Sequence, residues 1–281
     1  MSPRSRRTQR RDHSCDPRYT SGPMGFLSDL LGDVRRDLDR RPIDVGPLMG
    51  RIALLPPARG FARSLRASEA PAVIAELKRS SPSAGLIGDA DPGVQAAGYE
   101  RGGAAAVSVL TEPRHFGGSL VDLRAVRMAT SIPVLRKDFL IHPDQLIQSR
   151  AEGADAVLLI AAALERSELV AMLAAAADLG LDVLAEAHTE QDLEAVVTSG
   201  AEVVGVNARD LETLDVDLDR AIGLLRQVPE DRIAVLESGI GSPDRVRRAV
   251  DAGAGAVLVG EALMRSGDPE RALRALRGAP A

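Results

Sequence analysis

Short apolar runs recur along the chain at the intervals of a strand and helix repeat. Eight runs rich in Val, Leu, Ile and Ala cover residues 72–77, 104–110, 133–139, 156–162, 182–187, 202–208, 232–238 and 256–261. Runs of this length and composition are typical of buried parallel strands. Helical spacing of apolar residues fills the segments after them, at 91–101, 119–129, 143–152, 165–179, 189–199, 217–227, 242–252 and 269–277.

This alternation of eight strands with eight helices predicts an α/β protein with the (β/α)8 fold, the TIM barrel. Gly-Ala pairs such as Gly153-Ala154 and Gly200-Ala201 suit the end of a helix before the next strand. An open doubly wound sheet is the alternative architecture. It is disfavoured because no glycine-rich dinucleotide fingerprint follows the first run.

The chain before the first strand predicts an N-terminal helical extension. Helical spacing of apolar residues starts after Met24, at Phe26, Leu27, Leu30, Leu31, Val34 and Leu38. A second helix is predicted over residues 58–67. Residues 1–23 are rich in Arg, Ser and Pro and lack a hydrophobic period, so we expect a disordered basic leader, or a segment upstream of the true start. The predicted organisation is one barrel domain over residues 24–281, with its first helices within 24–67.

Composition and charge narrow the class of protein. Hydrophobic residues make up 45% of the chain and aromatic residues only 2%, so Ala, Val, Leu and Ile must fill the core, which argues against an all-β binding module. The net charge is −5, and the leader holds six Arg and two Asp, so the remainder carries −9 (−5 minus +4) and suits nucleic acid poorly. A non-enzymatic protein that binds RNA through its leader is the alternative from another class.

Cysteine, histidine and hydropathy exclude several kinds of site. The single cysteine, Cys15, allows no intrachain disulfide and suits a reducing cytoplasm. No apolar stretch approaches the ~20 residues of a membrane span, so we expect no membrane partner. Four scattered His without a metal-binding arrangement predict no metal site. His188 is interpreted as the entry to a helix capped by Thr189.

Polar residues collect where the predicted strands end, which is where active sites form in this fold. Five such ends carry Glu76 with Lys78, Arg136 to Asp138, Glu186, Asn207 with Arg209, and Glu237 with Ser238. Lys78 and Lys137 are the only lysines, against 33 arginines (35 basic residues minus two). An ammonium can give up its proton whereas a guanidinium stays charged, so this asymmetry indicates proton transfer. A structural salt bridge would account for the charged residues at one strand end, but not for polar residues at five.

The ends of the last two strands predict a phosphate-binding site. They read ESGIGS (237–242) and VGEA (259–262), which puts Gly and Ser before the following helices. Backbone N–H groups at helix starts bind anions, and the phosphate site of this fold commonly follows strands seven and eight. We therefore expect a phosphorylated small-molecule substrate.

The chain resembles indole-3-glycerol phosphate synthase from about Met24 to its C-terminus. The similar segments are VIAELKRSSPSAG (73–85), SVLTEPRHFGGSL (108–120), PVLRKDFLIHPDQL (133–146), GADAVLLI (153–160), LDVLAEAHTEQDL (181–193), GVNARDLETLDVDL (205–218), ESGI (237–240) and LVGEAL (258–263). The resemblance implies a barrel enzyme without cofactor. It implies conversion of 1-(2-carboxyphenylamino)-1-deoxyribulose 5-phosphate into indole-3-glycerol phosphate, CO₂ and water, a step of tryptophan biosynthesis.

The resemblance also implies roles for particular residues. Lys137 would be the general acid of ring closure, Lys78 would meet the substrate carboxylate and protonate the leaving hydroxyl, and Glu186 would be the general base. Glu76 and Asn207 would orient these groups, with Arg209 and Ser238 nearby. The phosphate pocket would comprise Ser81, Gly239, Gly260 and Glu261, and the apolar wall Phe116, Phe139 and Leu158.

One alternative shares the fold and one position departs from the family's pattern. The shared phosphate cradle also suggests another phosphosugar enzyme, such as a phosphoribosylanthranilate isomerase-like protein. Two lysines with Glu186 and Asn207 suit that isomerisation poorly. Glu261 stands where many relatives have Ser, and since a carboxylate repels phosphate, we expect its side chain to turn away. We expect a monomer or a weak homo-oligomer.

Overall fold

The computed structural model describes residues 25–68 and 71–278, and its centre is a closed barrel of eight parallel strands. The strands are β1 (Ala72–Leu77), β2 (Ala106–Leu110), β3 (Val134–Lys137), β4 (Ala156–Ile160), β5 (Asp182–Ala187), β6 (Val203–Asn207), β7 (Ile233–Glu237) and β8 (Ala256–Val259). Each pairs with its neighbours in sequence, and β1 closes the barrel against β8, with Ala72 opposite Ala256. The predicted barrel is confirmed. The predictions for residues 1–23 and for a start at Met24 lie outside the described residues.

Helices precede and alternate with the strands. They are α1 (Phe26–Arg40), α2 (Val45–Ile52), α3 (Phe61–Ala67), α4 (Pro92–Arg101), α5 (Leu120–Ala129), α6 (Pro143–Ala151), α7 (Arg166–Asp178), α8 (Glu190–Thr198), α9 (Leu218–Leu225), α10 (Pro243–Asp251), α11 (Glu261–Met264) and α12 (Pro269–Leu276). The helical extension and the eight predicted barrel helices are confirmed. Within the described ranges, no helix is long and apolar enough to cross a membrane.

Four short elements were not predicted from the sequence. They are α2, the single turn α11, a 3-10 turn at Ala161–Ala163 and a two-stranded hairpin that pairs Ser80–Ser81 with Gly85–Leu86. Helix α2 buries none of its residues fully, and its apolar face consists of only three half-buried residues at helical spacing, Val45, Leu48 and Ile52. Its start depends on a local cap instead, because the Asp44 side chain accepts a hydrogen bond from Gly46 N.

Side chains alternate along each strand between two apolar layers. Val73, Val107 and Leu159 point outward and pack under the helices. Ile74 and Leu135 point inward and fill the barrel. Alternation with a period of two follows from strand geometry, and the small aliphatic residues that dominate the composition fill both layers.

The N-terminal extension covers both ends of the barrel. At the mouth formed by the carboxyl ends of the strands, Asp37 of α1 pairs with Arg114, 2.6 Å away in the loop after β2. At the opposite end, the backbone N–H of Ala62 in α3 donates to the Asp182 carboxylate at 3.0 Å. The extension therefore fastens the barrel at its base and contacts a loop of the mouth.

Asp155 is the polar anchor at the base of the barrel. Its Oδ1 accepts from Arg59 N at 2.8 Å, and its Oδ2 accepts from Val134 N at 2.9 Å and from Arg127 Nη1 at 2.6 Å. The residue is fully buried. One buried carboxylate thus joins the extension, β3 and α5, and accepts a hydrogen bond from each of them.

Asp155→Ala is expected to lower the free energy of unfolding by about 3–5 kcal/mol, because Arg127 and two backbone N–H groups lose their buried acceptor. Urea denaturation followed by circular dichroism measures the change. Asp244→Ala is the matched control, since its exposed pair with Arg247 is worth about 0–1 kcal/mol. Equal effects in the two variants would contradict the anchoring role of Asp155.

Candidate active site

A cavity of about 470 Å³ opens at the carboxyl ends of the strands. Thirteen of the predicted site residues line it, namely Glu76, Lys78, Phe116, Lys137, Phe139, Leu158, Glu186, Asn207, Arg209, Ser238, Gly239, Gly260 and Glu261. Ser81 does not line this cavity. It lies in the hairpin after β1, where its Oγ accepts a hydrogen bond from Ala84 N at 3.1 Å.

Charged side chains of alternate strands form one layer of the barrel interior. Lys137 and Glu237 are the last residues of β3 and β7, and Glu76 and Glu186 are the next-to-last residues of β1 and β5. Alternate strands of such a barrel contribute side chains to the same layer. Lys137 Nζ lies 3.0 Å from Glu186 Oε2 and 2.6 Å from Glu237 Oε2. Lys78 Nζ lies 3.2 Å from Glu76 Oε1. The barrel therefore ends in an ionic layer instead of an apolar one.

Two glycines beside this layer leave room for its carboxylates. A Cβ atom at Gly205 on β6 would lie 2.3 Å from Glu237 Oε1. A Cβ atom at Gly260, just after β8, would lie 2.4 Å from Glu76 Oε1. Both distances are shorter than any van der Waals contact, so a side chain at either position would displace a carboxylate.

Lys137, Glu186 and Glu237 shift each other's pKa values. Burial opposes the charge of Lys137, but Glu186 and Glu237 outweigh burial and raise its pKa above the usual value. Burial also acts to raise the pKa of Glu186, but Lys137 and His188 outweigh burial and lower it to about 2. Burial raises the pKa of Glu237, and the charge of Glu186 raises it further, to about 8. Of the two carboxyl groups, Glu186 is therefore the more acidic, and Glu237 is the one that retains a proton to higher pH.

Sequence reasoning assigned no role to Glu237 or His188. Glu237 had the signal used for Glu186, a carboxylate at a strand end, but was noted only as part of the motif. For His188, the predicted cap is confirmed, since Thr189 Oγ1 accepts from Asp192 N at 3.1 Å. The histidine nevertheless reaches the site, with Nε2 3.3 Å from Glu186 Oε1. Its position two residues after Glu186 could have predicted this contact, because residues two apart in a strand point to the same side.

The loops after β7 and β8 form the candidate phosphate cradle. Ser238 and Gly239 have φ angles of 65° and 71°, which turns the chain sharply at the end of β7. Arg245 Nη1 donates to Gly239 O at 2.7 Å. Glu261 lines the cavity and its Oε1 accepts from Arg265 Nε at 3.0 Å. An arginine thus offsets the carboxylate that the sequence places at the cradle.

Asn207 and Arg209 connect the loops of the mouth. Asn207 Oδ1 accepts from the backbone N–H of Arg209 at 2.9 Å. Arg209 Nη1 donates to Ser83 Oγ at 3.2 Å and to Leu214 O at 2.6 Å. The loop after β6 is therefore tied to the loop after β1.

The wall of the cavity across the barrel from the phosphate cradle is apolar. The rings of Phe116 and Phe139 lie 6.3 Å apart between centroids and are inclined at 33°, and Leu158 lies buried in the same cluster. A flat aromatic ligand suits such a wall. Among the residues that the structure describes, no group of His, Cys, Asp and Glu is arranged to hold a metal ion.

Comparison with known proteins gives consistent results. The family model of indole-3-glycerol phosphate synthase matches residues 28–276. The indole-3-glycerol phosphate synthase of Micrococcus luteus is 48% identical over 263 residues, covering 91% of this chain and 98% of the relative. That of a Nocardioides species is 49% identical over 258 residues, covering 91% and 99%.

Solved structures show the same fold at low identity. A 3-hexulose-6-phosphate synthase superimposes with a TM-score of 0.56 at 18% identity, covering 75% of this chain and all of that chain (100%). KGPDC from Streptococcus mutans gives a TM-score of 0.58 at 13% identity, covering 75% and 97%. At these identities the likeness concerns the barrel alone.

Glu237→Gln is expected to remove a loss of stability that occurs as the pH rises from 4.5 to about 8. Glu237 binds its proton up to about pH 8 in the folded protein, against an ordinary pKa of 4.5. Between these values the folded state binds more protons than the unfolded state, so stability falls as pH rises. The neutral Gln should therefore stabilise the protein more at pH 8 than at pH 5, as measured by urea denaturation. The exposed Glu194→Gln is the control, and parallel pH curves for Glu237→Gln and the unmodified protein would contradict the assignment.

Proposed function

The chain belongs to the indole-3-glycerol phosphate synthase family, and we propose how its own residues divide the work of that family's reaction. It is a carboxy-lyase of tryptophan biosynthesis. The family match over residues 28–276 sets aside the isomerase-like alternative. The observation that carries the proposed roles is Lys137 held between two buried carboxylates at the mouth of the barrel.

We propose that the substrate spans the cavity between the cradle and the apolar wall. Its phosphate binds the backbone N–H groups of Gly239, Gly260 and Glu261. Its anthranilate ring lies against the wall of Phe116, Phe139 and Leu158, and its carboxylate faces Lys78. The strand order supports this orientation, because the apolar wall comes from β2 to β4 and the loops that follow them, whereas the cradle follows β7 and β8 on the other side of the closed barrel.

Lys137 acts as the general acid of ring closure. The aromatic carbon that bears the carboxylate attacks the ribulose carbonyl carbon, and the carbonyl oxygen takes the proton of Lys137 to become a hydroxyl. Glu186 and Glu237 keep the ammonium protonated until the carbonyl oxygen becomes basic enough to take the proton. CO₂ then leaves the aromatic carbon, which is easier where the carboxylate has lost its hydration.

Glu186 acts as the general base of dehydration. While Lys137 is charged, it holds the pKa of Glu186 near 2, which makes the carboxylate a weak base. Once Lys137 has released its proton, this attraction is lost and the pKa of Glu186 rises. Glu186 then removes a proton from the methylene carbon next to nitrogen, and Lys78 protonates the leaving hydroxyl. Two protons given and one taken leave a net uptake of one, which balances the carboxylate lost as CO₂.

The remaining polar residues orient these groups. Glu76 pairs with Lys78 and directs its ammonium to the cavity. Asn207, Arg209 and Ser238 contact the hydroxyl groups of the substrate. We further propose that the protein works in the cytoplasm, as a monomer or weak homo-oligomer, without nucleic acid or membrane as a partner.

Lys137→Arg is expected to lower kcat roughly 10²- to 10⁴-fold without unfolding the protein, because it keeps the charge but cannot donate the proton. Indole fluorescence with 1-(2-carboxyphenylamino)-1-deoxyribulose 5-phosphate, without added metal or cofactor, measures turnover. Lys78→Arg is the matched comparison and should lose less, since its charge still binds the substrate carboxylate. Wild-type turnover in Lys137→Arg would exclude Lys137 as the acid, and no product from the folded unmodified chain would refute the proposed reaction.

Arg265→Ala is expected to raise KM roughly 3- to 10-fold with little change in kcat, because it leaves the Glu261 carboxylate unpaired beside the substrate phosphate. The double variant Glu261→Gln/Arg265→Ala should restore KM if the arginine only neutralises Glu261. Arg247→Ala is the control, because Arg247 is an exposed residue of α10 that does not line the cavity. An unchanged KM in Arg265→Ala would show that the pair has no influence on the cradle.

A further inference from the structure

His188 is a buried titratable side chain that the steps proposed above do not use. It follows β5 directly, two positions after Glu186. Its side chain is only 8% exposed, and Nε2 lies 3.3 Å from Glu186 Oε1. It is not among the residues that line the cavity. Neither ring nitrogen has a hydrogen-bond partner within residues 25–68 and 71–278. His188 therefore contacts Glu186 but does not line the cavity.

The backbone of His188 is fixed from two sides. Its N–H donates to Asp192 Oδ2 at 3.1 Å, within the capping box that starts α8. Its carbonyl accepts from Arg220 Nη1. Arg220 Nη2 also donates to the carbonyl of Asn207 at 3.1 Å, which joins the ends of β5 and β6. The imidazole can therefore move only by rotation of its side chain, and it stays beside Glu186.

Glu186 presents its two oxygens to different neighbours. Oε2 accepts from Lys137 at 3.0 Å, whereas Oε1 faces His188. A buried polar group without a partner is costly, so a buried imidazole beside a carboxylate calls for an explanation. A ring with its proton on Nε2 would donate to Oε1 after a small rotation, and hydrogen bonds of active sites are often poorly aligned before the substrate binds.

We propose that His188 is a positioning residue for Glu186, whose Nε2–H holds Oε1 so that the carboxylate keeps its place when Lys137 releases its proton. This inference rests on the proposed role of Glu186 as the base. Without His188, a Glu186 that has lost its ionic partner would be free to rotate away from the proton it must remove. The charged groups that face the pair are Lys137 on β3 and Glu237 on β7, with Asp192 and Arg220 at the His188 backbone.

Steady-state kinetics of His188 variants test the proposal. His188→Leu keeps the bulk but removes the donor, and is expected to lower kcat roughly 10- to 100-fold with KM unchanged within about twofold. His188→Gln, whose amide can still donate, should recover kcat to within about fivefold of the unmodified protein. The acid limb of kcat against pH should move to higher pH in His188→Leu, because loss of a donor raises the pKa of a carboxylate. The exposed His142→Gln is the control.

The outcomes separate this inference from the function on which it rests. If Glu186→Gln is inactive but His188→Leu has unchanged kcat and an unchanged acid limb, His188 has no positioning role and Glu186 remains the base. If Glu186→Gln turns over normally, the base assignment fails and the proposal fails with it. A measurement on the unmodified protein does not depend on any variant folding. Nitrogen-15 NMR of the imidazoles should find the His188 proton on Nε2, and a ring protonated only on Nδ1 would overturn the proposal.

Discussion

The ion cluster of Lys137, Glu186 and Glu237 is the constraint on which the mouth of the barrel depends. A buried ammonium without partners would lose its proton, and two buried carboxylates without a cation would repel each other. Both carboxylates lie within hydrogen-bond distance of the lysine, and each of the three charged groups is tolerated in the interior only because of this contact. They lie near the carboxyl ends of three different strands, so the cluster exists only when the barrel is closed in its native register. The chemistry of the site thus depends on long-range pairing along the whole sheet.

Polar groups at the two ends of the barrel serve different purposes, and their hydrogen bonds show the difference. At the base, Asp155 accepts three hydrogen bonds, which leaves its donors satisfied and joins three segments. At the mouth, Glu237 Oε1 and both nitrogens of His188 are buried without partners in the described structure. A saturated carboxylate stabilises the fold, whereas an unsaturated one retains capacity to exchange protons. Gly205 and Gly260 support this state by leaving space that a side chain would fill.

The fold and most of the site follow from local patterns in the sequence, but the electrostatics do not. Strand and helix periods predicted the barrel, and the strand-end rule found lysines and carboxylates that do line the cavity. Helix α2 was not predicted because its apolar face is only three half-buried residues long, Val45, Leu48 and Ile52, in a segment that also holds two Gly and one Pro. The contact of His188 with Glu186 was not predicted, because the helix cap that follows it accounted for its place in the sequence. The protonation of Glu237 depends on distances across the barrel, which no single segment encodes.

The contrast between two lysines and many arginines has a physical counterpart in the structure. Arginines make the lasting ion pairs, such as Arg127 with Asp155 and Arg79 with Asp122, where a permanent charge and several donors hold elements together. Both lysines instead line the cavity, each beside a carboxylate. The permanent charge of arginine suits a structural ion pair, whereas the exchangeable proton of lysine suits a reaction that includes proton transfer. Electrostatic complementarity alone would accept either residue beside Glu186, so the proposed proton transfer gives a reason for lysine there that stability does not.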